Sequence, residues 1–482
     1  MIQITPFLDS KRKTPLYVQL YQYIKEGIES GQLKSDTFLP SIRELALHLR
    51  VSKNTVEGAY QQLIAEGYVE SIPRVGLKIL ELEATFLCDK GGKQLQNVTM
   101  GEIQREHKSI EYDFVYGEID TAHLPLKVWK RHVQEVLKGA SEELLMYGDP
   151  FGDWHLRQEL SHYLLQSRGV SCRPEQVVIT AGTQHAVSLL CQLLSLHGST
   201  VAFEDPGYNG VRSVFINQGC RIAPIPIEAD GLSLSRLHES HANIVYVTPS
   251  HQLPCGMILP VHKRSLLLEW AYEHEGYIVE DDYDSEFRYQ GQPIPALKAL
   301  DQNEKVIYLG TFSKSFLPSI RVSYMVLPGE LVPLYQQKLA NYNQAASPLI
   351  QRALYTFMKD GDFQRHIRRM KKVYQSKHHT LLKSVKTYLG DRVTVIGEKS
   401  GLHVLLNVHG REDHELIEKA MACGVKVYST KTFWYNPKNQ CSSFIMLGFG
   451  KLSEEAIKKG IRRLQQAWFL NGLSLLASNH FW

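Results

Sequence analysis

The sequence predicts an α/β protein in which an N-terminal winged helix-turn-helix precedes a large domain with a mainly parallel sheet covered by helices. Residues 14–80 read as three helices and then two short strands, whereas from about residue 111 apolar strands alternate with amphipathic helices. Between these regions the periodicity is lost around Gly91-Gly92. We therefore expect domains at 1–80 and 111–482, joined by a linker at 81–110.

The composition is that of an ordinary globular protein. Of 482 residues, 43% are hydrophobic and 22% are charged, and the net charge is only +4, so a nucleic-acid contact must come from a local basic patch. The seven cysteines form no Cys-x-x-Cys pair, which disfavours disulfides and a metal site. The chain begins without an apolar signal core and has no apolar run long enough for a membrane span, so we expect a cytoplasmic protein.

Capping residues mark the helices of the first region. After a first amphipathic helix, Ser41 has the spacing of a capping box at the start of a second helix, and Ser52 caps a third over residues 53–66. Strands at 68–72 and 77–80 follow, paired around a tight turn. This order of elements predicts a helix-turn-helix with a β-hairpin wing.

The third helix of such a fold enters the major groove with its N-terminal residues facing base edges. Lys53 and Asn54 suit guanine and adenine, the helix starts offer backbone N–H groups to phosphates, and Arg74 lies at the tip of the wing. The candidate DNA-binding residues are Ser41, Arg43, Ser52, Lys53, Asn54, Thr55 and Arg74. The alternative is a small helical bundle for protein contacts, with these charges solvated.

In the large domain, an apolar strand at 306–310 runs into Thr311-Phe312-Ser313-Lys314. A partly buried lysine loses its proton more readily and can then attack an aldehyde, so Lys314 suits a Schiff base. The hydroxyls of Thr311 and Ser313 and the guanidinium of Arg321 can bind a phosphate. Taken alone, a lysine after a strand is more often a surface residue.

A second strand, at 277–280, ends in acids. Asp281 can keep a pyridine nitrogen protonated, with Asp282 as the second choice. Tyr283 would point the same way as Asp281 and could donate to a phenolic oxygen. A solvated loop or a helix cap is the alternative for these acids.

Two further segments suit a ligand that carries a phosphate and a pyridine ring. After a strand at 176–180, a glycine turn places Gly182, Thr183 and Gln184 at a helix N-terminus, where they would cradle a phosphate. Tyr208 follows another strand and could stack on a pyridine ring.

The N-terminal motifs resemble the GntR family of transcription regulators. The run LPSIRELALHLRVSKNTVEGAYQQLIAEGYVE at 39–70 carries the family pattern Pro-Ser-x-Arg-x-Leu-Ala, followed by Val-Ser and Thr-Val. Lys53 stands where the family has arginine, and Lys78 replaces the second glycine of the usual wing.

The later motifs resemble the MocR subfamily of that family, in which the winged helix-turn-helix is fused to a fold-type I aminotransferase-like domain that carries pyridoxal 5′-phosphate (PLP). They are TPSHQ at 248–252, EDDYDSEF at 280–287 and GTFSKS at 310–315. The roles implied by the resemblance are Lys314 in the Schiff base, Asp281 on the pyridine nitrogen, Tyr283 on the phenolic oxygen and Arg321 on the phosphate. A head-to-tail homodimer that binds an operator in double-stranded DNA is also implied.

This chain departs from the aminotransferase pattern at two positions that contact the cofactor or the substrate. Aminotransferases usually carry Asn before Pro-Thr-Gly, where this chain has Leu253-Pro254-Cys255-Gly256. They also clamp the substrate carboxylate with a C-terminal arginine, yet no arginine lies between residues 411 and 462. The remaining candidates are Lys426 and Lys431, then the nearby Lys419 and Lys438, and Arg212.

These features predict a PLP-dependent, DNA-binding transcription regulator. Its large domain would sense PLP or an amino compound through the Lys314 aldimine, with weak or no transaminase activity. A competent aminotransferase with an accessory DNA-binding module is the alternative.

Overall fold

The computed structural model describes residues 4–9, 12, 14–81, 110–289, 294–439 and 444–470. The chain divides into two compact units, Met1–Arg105 and Glu106–Trp482. Most of the linker predicted at 81–110 lies outside the described residues, so the domain bounds stay predictions.

The first unit contains three helices and a hairpin. Its elements are α1 (Leu16–Glu29), α2 (Ile42–Leu49), α3 (Lys53–Ala65) and the antiparallel strands β1 (Val69–Ile72) and β2 (Gly76–Ile79). The side chains of Ser41 and Ser52 each accept a backbone N–H of the following turn at 3.2 Å, as their positions predict. The elements share one apolar core that includes Leu20, Ile24, Val56, Ala59 and Leu63.

The second unit alternates strands and helices. Its strands are β3 (Tyr112–Asp113), β4 (Val177–Thr180), β5 (Thr200–Asp205), β6 (Arg221–Glu228), β7 (Gly231–Leu232), β8 (Ile244–Val247), β9 (Tyr277–Asp282), β10 (Val306–Thr311), β11 (Ser323–Val326), β12 (Val393–Ile396), β13 (His403–Val408), β14 (Val425–Lys426), β15 (Tyr428–Ser429) and β16 (Phe444–Gly448). Its helices are α4 (Leu126–Lys138), α5 (Trp154–Arg168), α6 (Thr183–Leu193), α7 (Asn209–Asn217), α8 (Leu234–Glu239), α9 (Val261–Glu273), α10 (Phe312–Ser315), α11 (Leu331–Leu339), α12 (Pro348–Lys359), α13 (Asp362–Ser384), α14 (Asp413–Ala422) and α15 (Glu454–Phe469).

An eight-stranded sheet in the order β4-β11-β10-β9-β8-β5-β6-β7 forms the centre of this unit. Neighbours from β10 to β6 run parallel, whereas β11 is antiparallel to both β10 and β4. Alternate side chains of a strand point to opposite faces. Ile307 and Leu309 accordingly join one buried cluster, with α6 and α7, while Tyr308 joins another, with α5 and α12. Helices therefore cover both faces, as the sequence predicts.

The end of the unit adds a feature that the sequence did not predict. Strands β12, β13, β16 and β15 form an antiparallel sheet, in that order, whose core is shared with α13, α14 and α15. Within the described ranges, no helix combines the length and apolar character needed to cross a bilayer. The five cysteines in those ranges are free.

Candidate functional site

The parallel strands of the large sheet open onto one crevice at their carboxyl ends. β9 ends at Asp282, β10 ends at Thr311, and Thr248 directly follows β8. A cavity of about 240 Å³ lies there. Its lining consists of Tyr116, Gly117, Thr183, Gln184, Tyr208, Thr248, Leu253, Asp281, Tyr283, Thr311, Ser313, Lys314, Pro318 and Arg321. Every predicted cofactor residue except Gly182 belongs to this lining.

Lys314 projects into the cavity from the short helix α10. That helix begins directly after β10, where the Thr311 hydroxyl accepts the Ser313 N–H at 3.1 Å. The Lys314 Nζ donates to the Gly117 carbonyl at 2.8 Å and lies 4.7 Å from the centre of the Tyr116 ring. Burial lowers the pKa of this lysine to about 8. A neutral, nucleophilic amine is therefore accessible near physiological pH.

Asp281 is the acid that is available to a ligand. Its Oδ2 accepts the Tyr246 hydroxyl, whereas its buried Oδ1 has no hydrogen-bond partner among the described residues. Burial raises the pKa of Asp281 to about 7. Asp282, the second choice, lies outside the lining, and its Oδ2 accepts from Arg168 and Tyr308 at 2.6 Å each.

Gly182 leaves room for a guanidinium beside a helix start. It precedes α6 with a φ of 104°, and a Cβ at this position would lie 2.1 Å from Arg321 Nη2. Arg321 donates to the Ala181 carbonyl at 3.2 Å, and no carboxylate of the described residues pairs with it. With Thr183 and Gln184 in the first turn of α6, these groups form a concave, positive site suited to an anion.

The two predicted tyrosines both reach the cavity. The Tyr283 hydroxyl donates to the His251 carbonyl at 2.8 Å, and its ring joins a buried cluster with Leu253. Tyr208 is half-buried and packs against the same cluster. Their contacts with a cofactor stay predictions.

Sequence reasoning missed part of the lining. Tyr116 and Gly117 precede Lys314 by almost two hundred positions and belong to no recognised motif. Thr248, in contrast, begins the TPSHQ motif, and its hydroxyl donates to buried Glu204 at 2.7 Å. That motif was the available signal for this residue.

Three of the residues considered for a carboxylate clamp are engaged elsewhere. Arg212 donates to the backbone carbonyls of residues 432–434 at 2.7–3.1 Å. Lys431 pairs with Asp413 at 2.6 Å, and Lys426 lies over an aromatic ring at 5.2 Å. None of the three belongs to the cavity lining, and the loss of the clamp stays a prediction.

The predicted DNA-binding residues lie in the first unit. The first turns of α2 and α3, with their caps, hold Ser41, Arg43, Ser52, Lys53, Asn54 and Thr55. Arg43, Lys53 and Arg74 are exposed, and none pairs with a carboxylate of the described residues, whereas Lys78 of the wing pairs with Asp36 at 2.6 Å. Arg74 has a φ of 66° at the hairpin tip.

Known proteins match both units. Residues 16–79 match the model of bacterial regulatory proteins of the gntR family, and residues 112–464 match the model of aminotransferase class I and II. The HTH-type transcriptional regulator YdeL of Bacillus subtilis (strain 168) is 41% identical over 97% of this chain and 100% of its own length. The probable rhizopine catabolism regulatory protein MocR of Rhizobium meliloti is 32% identical over 96% of this chain and 95% of its own.

Among solved structures, a kynurenine aminotransferase of Pyrococcus horikoshii in complex with PMP is similar, with a TM-score of 0.67 and 25% identity over 75% of this chain and 91% of that one. These matches confirm the predicted fold class and support pyridoxal phosphate as the cofactor of the second unit. The chain belongs to the MocR-like subfamily of GntR-family transcription regulators, in which a helix-turn-helix domain is joined to an aminotransferase class I and II domain.

Proposed function

We propose that this regulator binds an operator in double-stranded DNA through its first unit and senses PLP, or an amino compound that reacts with PLP, through Lys314. The observation that carries the proposal is one cavity that holds both a lysine with a pKa of about 8 and a buried, half-partnered Asp281 carboxylate. Perturbed groups of complementary chemistry in a cleft are typical of ligand-binding sites.

The cavity offers a matching group for each part of PLP. Asp281 Oδ1, a buried acceptor without a donor among the described residues, suits a protonated ring nitrogen. Arg321 and the start of α6 suit the phosphate. The Lys314 amine suits the aldehyde. When bound, the cofactor supplies a carbonyl carbon at which one primary amine can replace another.

Regulation requires that the effector bind two arrangements of the protein unequally. Lys314 donates to the Gly117 carbonyl, in the segment that precedes α4. A lysine that engages the cofactor exchanges this hydrogen bond for a new partner. Ligand state is thereby linked to the packing of residues 116–117, the local change that we propose as the trigger.

The proposal includes a head-to-tail homodimer. Leu145, Met146 and Tyr147 are consecutive and are 64%, 63% and 73% exposed. A run of exposed apolar side chains is typical of an interaction surface. Two copies would offer two winged units to two operator half-sites. We place the regulator in the cytoplasm, where bacterial DNA is accessible to it.

Titration of the full-length protein on the intergenic DNA upstream of its own gene, with and without PLP, tests the proposal. We expect PLP to change the affinity of the wild type and of Lys372→Ala, a control on an exposed face of α13. Lys314→Ala should lose both this response and the borohydride-reducible adduct. An adduct at another lysine would refute the role of Lys314, and a failure to bind any fragment of the upstream DNA would refute the role in DNA binding.

A competent aminotransferase is the second candidate, favoured by the presence of Lys314 and Asp281 in one cavity. The absence of a carboxylate-binding cation among the other lining residues opposes it. Incubation of the PLP-loaded protein with amino acids, followed by chromatography for pyridoxamine phosphate, separates the two. Stoichiometric conversion and multiple turnovers with a keto acid would favour the enzyme.

A further inference from the structure

One part of the cavity wall is apolar and aromatic. Leu253 and Tyr283 line the cavity and belong to a buried cluster that continues through Leu405, Phe433 and Met446. Met446 lies in β16, opposite Leu405 of β13, so this cluster is anchored in the antiparallel sheet. Two further lining residues, Tyr116 and Tyr208, pack against the cluster. A ligand that extends towards this wall meets carbon rather than charge.

The described part of the cavity lining has no cation left to pair with an additional anion. Among the described lining residues, Lys314 and Arg321 are the only cations, and the proposed function assigns them to the aldehyde and the phosphate. Three buried acids lie near the cavity and offer no positive charge to a ligand: Asp281 in the lining, Glu204, which accepts the Thr248 hydroxyl, and Asp284, which pairs with His251. A carboxylate placed here would be desolvated without a partner, which is costly.

We propose that the amine sensed at this site is a primary amine with an apolar or aromatic body and no carboxylate, rather than an α-amino acid. This inference rests on the proposed function, because it requires that an amine react in this cavity. The incoming nitrogen would form a double bond to the cofactor carbon that Lys314 Nζ holds, the double bond to Nζ would break, and the two protons lost by the incoming neutral amine would pass to Nζ, which leaves Lys314 as a free amine. The exchange needs no oxidant or reductant.

The test compares phenethylamine with phenylalanine, which differ only by the carboxylate. Each is titrated into the full-length, PLP-loaded protein after free PLP has been removed, and the visible absorbance is followed. Concentrations are expressed as unprotonated amine, because the two amino groups differ in basicity. We expect half-saturation by phenethylamine at a concentration lower by about tenfold or more, equivalent to about 1.4 kcal/mol. Equal or tighter binding of phenylalanine, or no response to either probe, overturns the inference.

A pair of substitutions at Leu253 supplies the converse measurement. Leu253→Arg places a guanidinium in the lining and should shift the preference towards phenylalanine by about tenfold, whereas Leu253→Met should keep the wild-type preference. An unchanged preference in a folded Leu253→Arg protein, verified by circular dichroism, overturns the inference. If that variant does not fold, the wild-type comparison decides. PLP-dependent DNA binding is measured separately, so the proposed function can survive when this inference fails.

Discussion

The buried lysine predicts how the rate of PLP uptake depends on pH. Only the neutral amine of Lys314 attacks an aldehyde. Its pKa is lowered from an ordinary 10.5 to about 8, because burial disfavours the ammonium form and the charge of Asp284 only partly offsets this effect. The perturbation is therefore pH itself, applied to the protein stripped of cofactor.

The size of the effect follows from these two pKa values. At pH 7, about 1 in 11 Lys314 side chains is neutral, against about 1 in 3,000 for a lysine with the ordinary pKa of 10.5, an advantage of about 300-fold. At pH 10 the neutral fractions are about 0.99 and 0.24, an advantage of only about fourfold. The advantage should thus fall by a factor of about 70 between these pH values.

Stopped-flow absorbance measures the rate of PLP uptake by the stripped protein between pH 6.5 and 10. Acetyl-lysine amide, mixed with PLP at each pH, serves as the reference, so that titration of PLP itself cancels in the ratio. The ratio should be nearly constant below pH 7 and should decline steeply between pH 8 and pH 10. A ratio that stays constant across the range would refute a lowered pKa for Lys314, and with it the role of burial in activating the amine.

Four substitutions test other parts of the structure. Asp281→Asn should weaken PLP binding about tenfold or more in equilibrium dialysis, because an amide does not hold the ring nitrogen protonated; unchanged affinity would contradict the assignment. Asp282→Asn should instead lower the free energy of unfolding by about 3 kcal/mol in denaturant titrations, since it deprives buried Arg168 of its carboxylate; an equally stable variant would refute this. Arg43→Ala should reduce the slope of log affinity against log salt by about 1, as one phosphate contact is lost; the same slope would remove Arg43 from the interface. Ser52→Ala should cost about 1 kcal/mol in thermal unfolding of the first unit, and no loss would show that the cap is dispensable.

Local signals predicted the first unit well. The predicted third helix, 53–66, ends one residue later than α3, and the predicted strands differ from β1 and β2 by one residue at their ends. Capping by Ser41 and Ser52 depends on neighbours within three positions, so the sequence contains all the information needed.

The sequence predicted those cofactor residues that lie at, or just after, the end of a strand. Asp281, Thr311 and Lys314 follow apolar runs, and parallel strands bring such ends to one edge. Tyr116 and Gly117 reach Lys314 only through tertiary folding, and no local pattern marks them. The antiparallel direction of β11 also depends on pairing with both neighbours, which the order of elements alone does not specify.

Lys314 and Arg321 belong to one short loop, residues 312–322, and both ends of this loop are fixed by the central sheet. Thr311 at the end of β10 is paired with Ser323 at the start of β11, so residues 312–322 form a closed loop on a firm base. The Ser323 hydroxyl also donates to the Thr311 hydroxyl at 2.7 Å, so the amine and the guanidinium both depend on the same base for their positions. A substitution that disrupts the Thr311–Ser323 base should therefore impair the phosphate site and the reactive amine together.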